Sequence, residues 1–374
     1  MSTLKEKTVK GVLWSCVDRF STQGIQFVFS VLIARILLPS DYGTVAMLSI
    51  FFAVSQTFID SGFGAALIRK IDRTETDFCT VFYFNIAVGV FFYLVLWFAS
   101  PYIADFYDLP LLKDITRVVA LTVVFSSFSI VQSAKLSIKV DFKTRAKTSI
   151  WANFLSGAIG LFFAYRGYGV WALVIQSVSF SFIGTFLMCY WVRWIPKLIF
   201  SWRSFRELFS FGSKLLISSL LNTCYNNIYP LVIGKFFSPS ALGLYSRANT
   251  LAQYPSSVIT STLQGVTFPI LSSIQNENEM LADVYKRFIR LSAFVIFPMM
   301  IGLSAVASPF IRLLLTDKWE GAIYLLQIIC FAMMWYPIHS INLNLLQVKG
   351  RSDFFLKLEI IKKVQGIAIL CITI

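Results

Sequence analysis

Charge is scarce in this sequence. Only 14% of its 374 residues are Asp, Glu, Lys or Arg, against about 25% in an ordinary soluble domain. Hydrophobic residues make up 57% and the mean hydropathy is +0.71, which excludes a water-soluble globular class. Histidine occurs once, as His339, which argues against a zinc centre and against a Ser/His triad. The six cysteines (Cys16, Cys79, Cys189, Cys224, Cys330, Cys371) form no CxxC pair. They read as small apolar residues, with no disulfide, metal or cofactor role. The opening MSTLKEKTVK has no leader pattern, so the first helix is expected to act as its own insertion signal.

What the sequence does have is long apolar runs. About 20 residues are needed to cross a bilayer as a helix. The runs predict spans at 11–36, 42–62, 79–98, 115–134, 148–165, 168–192, 211–234, 243–272, 289–311 and 322–347, with an eleventh beginning near 354. Such uninterrupted length does not fit the short alternating strands of a membrane barrel. The expected class is therefore an all-α polytopic membrane protein. With the N-terminus inside, the inner connections collect 21 of the 33 Lys and Arg residues and the outer ones seven. This asymmetry predicts a cytoplasmic N-terminus. It also accounts for most of the +14 net charge without nucleic acid as a partner.

The chain repeats itself. LIARILLPSDYG (Leu32 to Gly43) returns as VIGKFFSPSALG (Val232 to Gly243), with Arg35 on Lys235, Pro39 on Pro239, Ser40 on Ser240 and Gly43 on Gly243. ASPYI (Ala99 to Ile103) returns as ASPFI (Ala307 to Ile311). Two anchors in one order indicate an internal duplication. They predict a six-helix N-terminal lobe over 1–200 and a C-terminal lobe over 201–374. Arg193 to Phe209, with Trp194 and Trp202, reads as an interfacial linker between them. Pro39, Pro101, Pro110 and Pro196 are expected at helix ends or in loops. Pro230, Pro255, Pro269, Pro298 and Pro337 fall within predicted spans.

Polar groups inside spans are costly, so they are expected to face protein or water. Arg19, Gln23, Gln26 and Ser30 share one face of the first helix, with Asp18 beside it. Its repeat mate carries Ser218, Asn222 and Asn226. The following helix carries Arg247, Asn249 and Gln253, then Ser256, Thr260 and Gln264. These stripes either make interhelix hydrogen bonds or line a hydrophilic cavity between the lobes. For the cavity reading the substrate-binding residues are Arg19, Gln23, Gln26, Asn222, Asn226, Arg247, Asn249 and Gln253. Guanidinium groups suit phosphate, and amides suit sugar hydroxyls. Asp18, Asp60 and His339 are the candidates for ion coupling.

Lys10 to Gly43, Phe211 to Ala248 and Leu345 to Lys363 together resemble the polysaccharide-transporter branch of the MOP flippase superfamily, the Wzx-type O-antigen and exopolysaccharide flippases. The resemblance covers essentially the whole chain. It implies two pseudo-symmetric, MATE-like helical bundles around a central cavity that opens alternately to each side. It implies transport of an undecaprenyl-pyrophosphate-linked oligosaccharide across the bacterial inner membrane, for O-antigen, capsule or exopolysaccharide. The implied partners are that lipid-linked oligosaccharide, membrane lipids and the polysaccharide polymerase machinery. The resemblance places cargo phosphate on Arg19 and Arg247, and less directly on Lys214. Family members usually have twelve or more helices, whereas this chain stops inside its eleventh with CITI. The second bundle is thus expected to be incomplete here, truncated in its fifth helix. Two other readings stand beside the flippase. One is a MATE-like ion-coupled antiporter of small molecules, which would favour acidic cavity residues. The other is a membrane enzyme of polysaccharide assembly, which needs larger outer loops than these.

Overall fold

A computed structural model describes residues 2–60 and 62–373, with side chains from residue 14 onward except 15, 16, 61, 261, 262, 265, 352, 355, 356 and 373. Among the described residues the chain is helical throughout, with no strand. The first helices are α1 (Ser2–Ile36), α2 (Pro39–Met47), α3 (Ser49–Asp60), α4 (Phe63–Arg69) and α5 (Glu75–Phe106). Then come α6 (Leu111–Val119), α7 (Leu121–Ile138), α8 (Phe142–Tyr165), α9 (Val170–Val192) and α10 (Trp202–Phe236). The remainder are α11 (Pro239–Ser273), α12 (Asn278–Ala305), α13 (Ala307–Leu315), a short 3-10 turn (Asp317–Trp319), α14 (Ala322–Met333), α15 (Tyr336–Val348) and α16 (Ser352–Thr373).

Among the described residues, seven helical stretches are long and apolar enough to cross a membrane. They become eight if the bent pair Val17–Ile36 and Pro39–Met47 counts as one span. The expected count was ten with an eleventh begun. The helices α10, α11 and α16 have the length (35, 35 and 22 residues). Their apolar runs are broken by polar or charged residues, such as Lys214 and Asn222 in α10 and Lys357 and Glu359 in α16.

The repeated elbow is visible in the chain path. α1 stops at Ile36 and α2 starts at Pro39, bent by 119°. α10 stops at Phe236 and α11 starts at Pro239. Proline forces the residue before it out of the helical region, and Leu38 is extended (φ −91°, ψ 155°). Pro39 then occupies the first turn, where its missing N–H costs nothing, and the Asp41 carboxylate accepts from the Leu38 N–H at 2.9 Å. Polar caps set other starts. Thr74 and Asp77 cap each other across the first turn of α5, with Asp77 N to Thr74 Oγ1 at 3.3 Å and Thr74 N to Asp77 Oδ2 at 2.8 Å. Asp141 caps α8 and Ser201 caps α10. Pro101 departs from expectation, because it lies inside α5 and not at a helix end.

Packing divides the chain into two compact units, Met1–Leu242 and Gly243–Ile374. Helix α10, which opens the second sequence repeat, packs within the first unit against α3, α4 and α5. That unit has an apolar cluster of Phe63, Leu67, Phe78, Phe82, Val131 and Leu208, joined by Trp194, Phe205 and Phe211. Small residues let its helices approach closely. A Cβ on Gly157 of α8 would fall 2.4 Å from the Phe29 ring of α1. In the second unit, Leu271, Leu281 and Val348 form a smaller cluster. Large apolar side chains such as Phe98, Phe186, Phe294 and Ile328 remain exposed, as expected of surfaces that face lipid.

Candidate functional site

The first unit has a part-open cavity of about 620 Å³ between α3, α4, α7 and α10. It is lined by Thr57, Asp60, Gly62, Gly64, Ala65, Ile68, Ile130, Ser133, Ala134, Ser137, Leu215, Leu216, Ser219, Asn222 and Thr223. Helical spacing explains the set. Ser133 and Ser137 lie one turn apart on α7, and Ser219, Asn222 and Thr223 share a face of α10. Glycine and alanine around 62–65 leave the space open. Thr57 bridges α3 to α10 through Thr223, Oγ1 to Oγ1 at 3.0 Å. Its own proton goes to the Ala53 carbonyl at 2.7 Å, so Thr223 is the donor in that bridge. Gln56 Nε2 donates to Asp60 Oδ1 at 3.3 Å.

Among the described residues, no lysine or arginine lines this cavity. Its chemistry is hydroxyls, one amide and one carboxylate, in which acceptors are plentiful. It suits a ligand that donates hydrogen bonds, and it does not by itself suit phosphate.

At one end of α4 and α10 lies a charged cluster that sequence reading missed. Lys70 Nζ is 3.1 Å from Asp77 and 3.0 Å from Glu207. Asp77 is 1% exposed. The Arg69 guanidinium sits 4.4 Å over the Phe211 ring. A recess of about 260 Å³ opens beside them. Burial alone would lower the Lys70 pKa, but the hydrogen bonds and charges of Glu207 and Asp77 outweigh it and hold the ammonium above the ordinary lysine range. A pKa raised on folding contributes stability that is complete below the unfolded value of 10.5 and is lost as pH rises through the folded one. Titration from about pH 7 to 9 is therefore expected to leave this latch intact, and the thermal midpoint of the Lys70→Met variant should trail the parent by a constant interval across that range. A gap that closes before pH 9 would contradict this.

The sequence-predicted residues distribute unevenly. Asp60 and Asn222 meet in the cavity. Asn226 is exposed one turn along α10. Asp18 is half-buried and accepts from Thr22 Oγ1 at 3.2 Å. Arg19 is exposed on α1 and Gln23 is half-buried; neither lines the cavity. Gln26 Nε2 donates to Asn153 Oδ1 at 2.8 Å, tying α1 to α8.

The remaining candidates belong to the second unit. Arg247 is buried, its Cζ 6.0 Å from the centre of the fully buried Trp319 ring. Gln253 Nε2 donates to Asn249 Oδ1 at 3.4 Å along α11. His339 Nε2 is 3.8 Å from Glu359 and 3.4 Å from Lys362 on α16. Sequence reading missed Thr57, Ser133, Ser137, Ser219 and Thr223. Their signal was present as hydroxyl residues at helical spacing beside glycine and alanine.

Comparison with known proteins gives a consistent result. A family model described as "Polysaccharide biosynthesis protein" matches residues 32–324. The teichuronic acid biosynthesis protein TuaB of Bacillus subtilis is 29% identical, over 94% of this chain and 74% of that protein. The lipopolysaccharide biosynthesis protein WzxC of Escherichia coli is 23% identical, over 96% and 74%. Among solved structures, the lipid II flippase MurJ in an inward closed conformation aligns with a TM-score of 0.73 at 14% identity, covering 91% of this chain and 76% of that one. A MATE multidrug resistance transporter of the MOP superfamily, inward-facing, aligns at 0.70 with 14% identity, over 91% and 84%.

Proposed function

Since this chain belongs to the polysaccharide biosynthesis protein family, in the polysaccharide-transporter branch of the MOP superfamily, we propose that it is a flippase for lipid-linked oligosaccharides. The observation that carries this reading is the cavity lined by hydroxyls, Asn222 and Asp60, set among helices of membrane-spanning length. A sugar head group, rich in hydroxyl donors, finds acceptors there without a hydrocarbon crossing. The lipid tail stays in the bilayer, and no covalent bond is made or broken.

In this reading the glycan moves across the bacterial inner membrane on an undecaprenyl-pyrophosphate carrier, by alternating access, with the N-terminus in the cytoplasm. The cavity's described lining offers a pyrophosphate neutral donors and no cation, so its charge would be met by cationic side chains elsewhere, with Arg19 and Arg247 the candidates. Asp18, Asp60 and His339 remain the candidates for coupling transport to an ion gradient. The relatives are named for different polymers, teichuronic acid and lipopolysaccharide, so the family does not select the glycan.

Deletion of the gene in the bacterium that carries it should abolish one surface polysaccharide and leave repeat units facing the cytoplasm. The native gene should restore export. The Ser219→Leu and Asn222→Leu variants, which fill the cavity, should not restore it although they reach the membrane in normal amount. Normal polysaccharide with altered drug susceptibility would favour the antiporter instead.

A further inference from the structure

The connection between α9 and α10 is not spent on the cavity. At Arg193 the chain turns out of α9 with φ +50° and then runs irregularly to Ser201, with a tight turn in which the Ile199 N–H donates to the Lys197 carbonyl at 2.7 Å. One side of this strip is pinned to α5. The Lys197 N–H donates to Cys79 Sγ at 3.3 Å, and the Ser201 N–H to Thr80 Oγ1 at 3.1 Å. The Trp194 ring packs edge-on to Phe82 at 5.5 Å, under the Lys135 ammonium at 4.2 Å, and its indole N–H donates to Glu75. The other side faces outward. Ile195 is 84% exposed and Leu198 is 93% exposed. Arg193, Lys197, Arg203 and Arg206 are exposed among them.

A strip held in place that presents aliphatic side chains between cations is poorly suited to water. It fits the boundary of a bilayer, where apolar side chains enter the acyl region and ammonium or guanidinium groups stay at headgroup level. Four exposed cations between positions 193 and 206 favour negative headgroups over zwitterionic ones. We propose that residues 193–206 form a binding site for anionic phospholipid headgroups. Arg193, Lys197, Arg203 and Arg206 hold the phosphates, and Ile195 and Leu198 anchor the strip in the acyl layer. This proposal does not depend on what the chain transports.

The test equilibrates the purified full chain with mixed micelles containing phosphatidylglycerol and phosphatidylcholine, then measures the ratio of the two lipids retained. The native chain should enrich phosphatidylglycerol. The R193Q/K197Q/R203Q/R206Q variant should lose roughly tenfold of that enrichment. The K139Q/K143Q/R145Q/K147Q variant removes the same charge from Lys139 in the α7–α8 connection and from the first turns of α8, and should keep it. Ile195→Ser with Leu198→Ser should weaken retention of both lipids. No enrichment by the native chain, or equal loss in the two charge variants, overturns the proposal. Displacement by glycerol phosphate at a concentration comparable to that of the lipid would also overturn it, since the site would then read free phosphate. If the linker variant does not fold, the native chain decides: enrichment must fall as salt rises from about 0.05 to 0.5 M, and salt-insensitive enrichment counts against the site.

Discussion

Gly62→Ala is expected to destabilise the protein by about 2–5 kcal/mol, from two independent causes. Gly62 has φ +69°, a left-handed conformation that costs any residue with a Cβ about 1–2 kcal/mol. A Cβ there would also lie 2.8 Å from the Gly212 carbonyl oxygen and 2.9 Å from the Gly212 Cα. Both are backbone atoms of α10, which cannot move aside as a side-chain tip would. The overpacking adds about 1–3 kcal/mol. Gly64 is the internal control. Its added Cβ would meet only Ile130, at 3.8 Å, so Gly64→Ala should be nearly neutral. Thermal unfolding in detergent of the two variants side by side checks this, and similar midpoints for both would refute it. Because Gly62 and Gly64 both line the cavity, an export defect confined to Gly62→Ala would also show that the α4–α10 contact holds the cavity in shape.

Asp77→Ala should cost about 2–4 kcal/mol, the second large effect. The substitution removes one half of the α5 cap, the Thr74 N–H to Asp77 bond, while Thr74 Oγ1 still caps the residue-77 N–H; the loss is up to about 1 kcal/mol. It also removes the buried partner of Lys70, leaving the ammonium with Glu207 alone. Glu207 is 58% exposed at its side chain, and an exposed pair contributes at most about 1 kcal/mol. Glu207→Gln should therefore be mild. Unfolding midpoints of Asp77→Ala, Glu207→Gln and the double variant would measure the coupling. If Glu207→Gln proves as damaging as Asp77→Ala, the assignment of the buried carboxylate as the dominant partner is wrong.

Much of the helix pattern was legible because the bilayer imposes long apolar runs and proline imposes local geometry. The elbow illustrates this: the P-S-x-x-G pattern at 39–43 and 239–243 marks a helix start at Pro39 and again at Pro239. The breaks at Leu48 and Ala120 were not legible, since no proline or glycine lies beside them. Pro101 was misread for the converse reason. In a 32-residue helix in the membrane, neighbouring groups can accommodate the lost hydrogen bond.

The candidate site was legible only in part. A stripe of polar residues shows that a helix has a polar face, but not what that face meets. Gln26 meets Asn153, 127 positions away, and Arg247 meets Trp319. The Lys70 cluster joins residues 7 and 137 positions apart, a distance over which a single sequence carries no pairing signal. Asn222 and Asp60 were found because each is a strongly polar residue in an apolar run. Ser133, Ser137 and Thr57 are ordinary in membrane helices and stood out only once folded together.

The place of α10 bears on where this chain could be divided. In sequence it opens the second copy of the repeat, yet by packing it is a wall of the first unit, supplying Ser219, Asn222 and Thr223. A fragment ended at the linker near residue 200 would keep the first copy whole and lose that wall. One ended after Leu242 would keep every element that lines the cavity. Cuts for split-chain complementation or circular permutation should therefore follow the wall and not the sequence repeat.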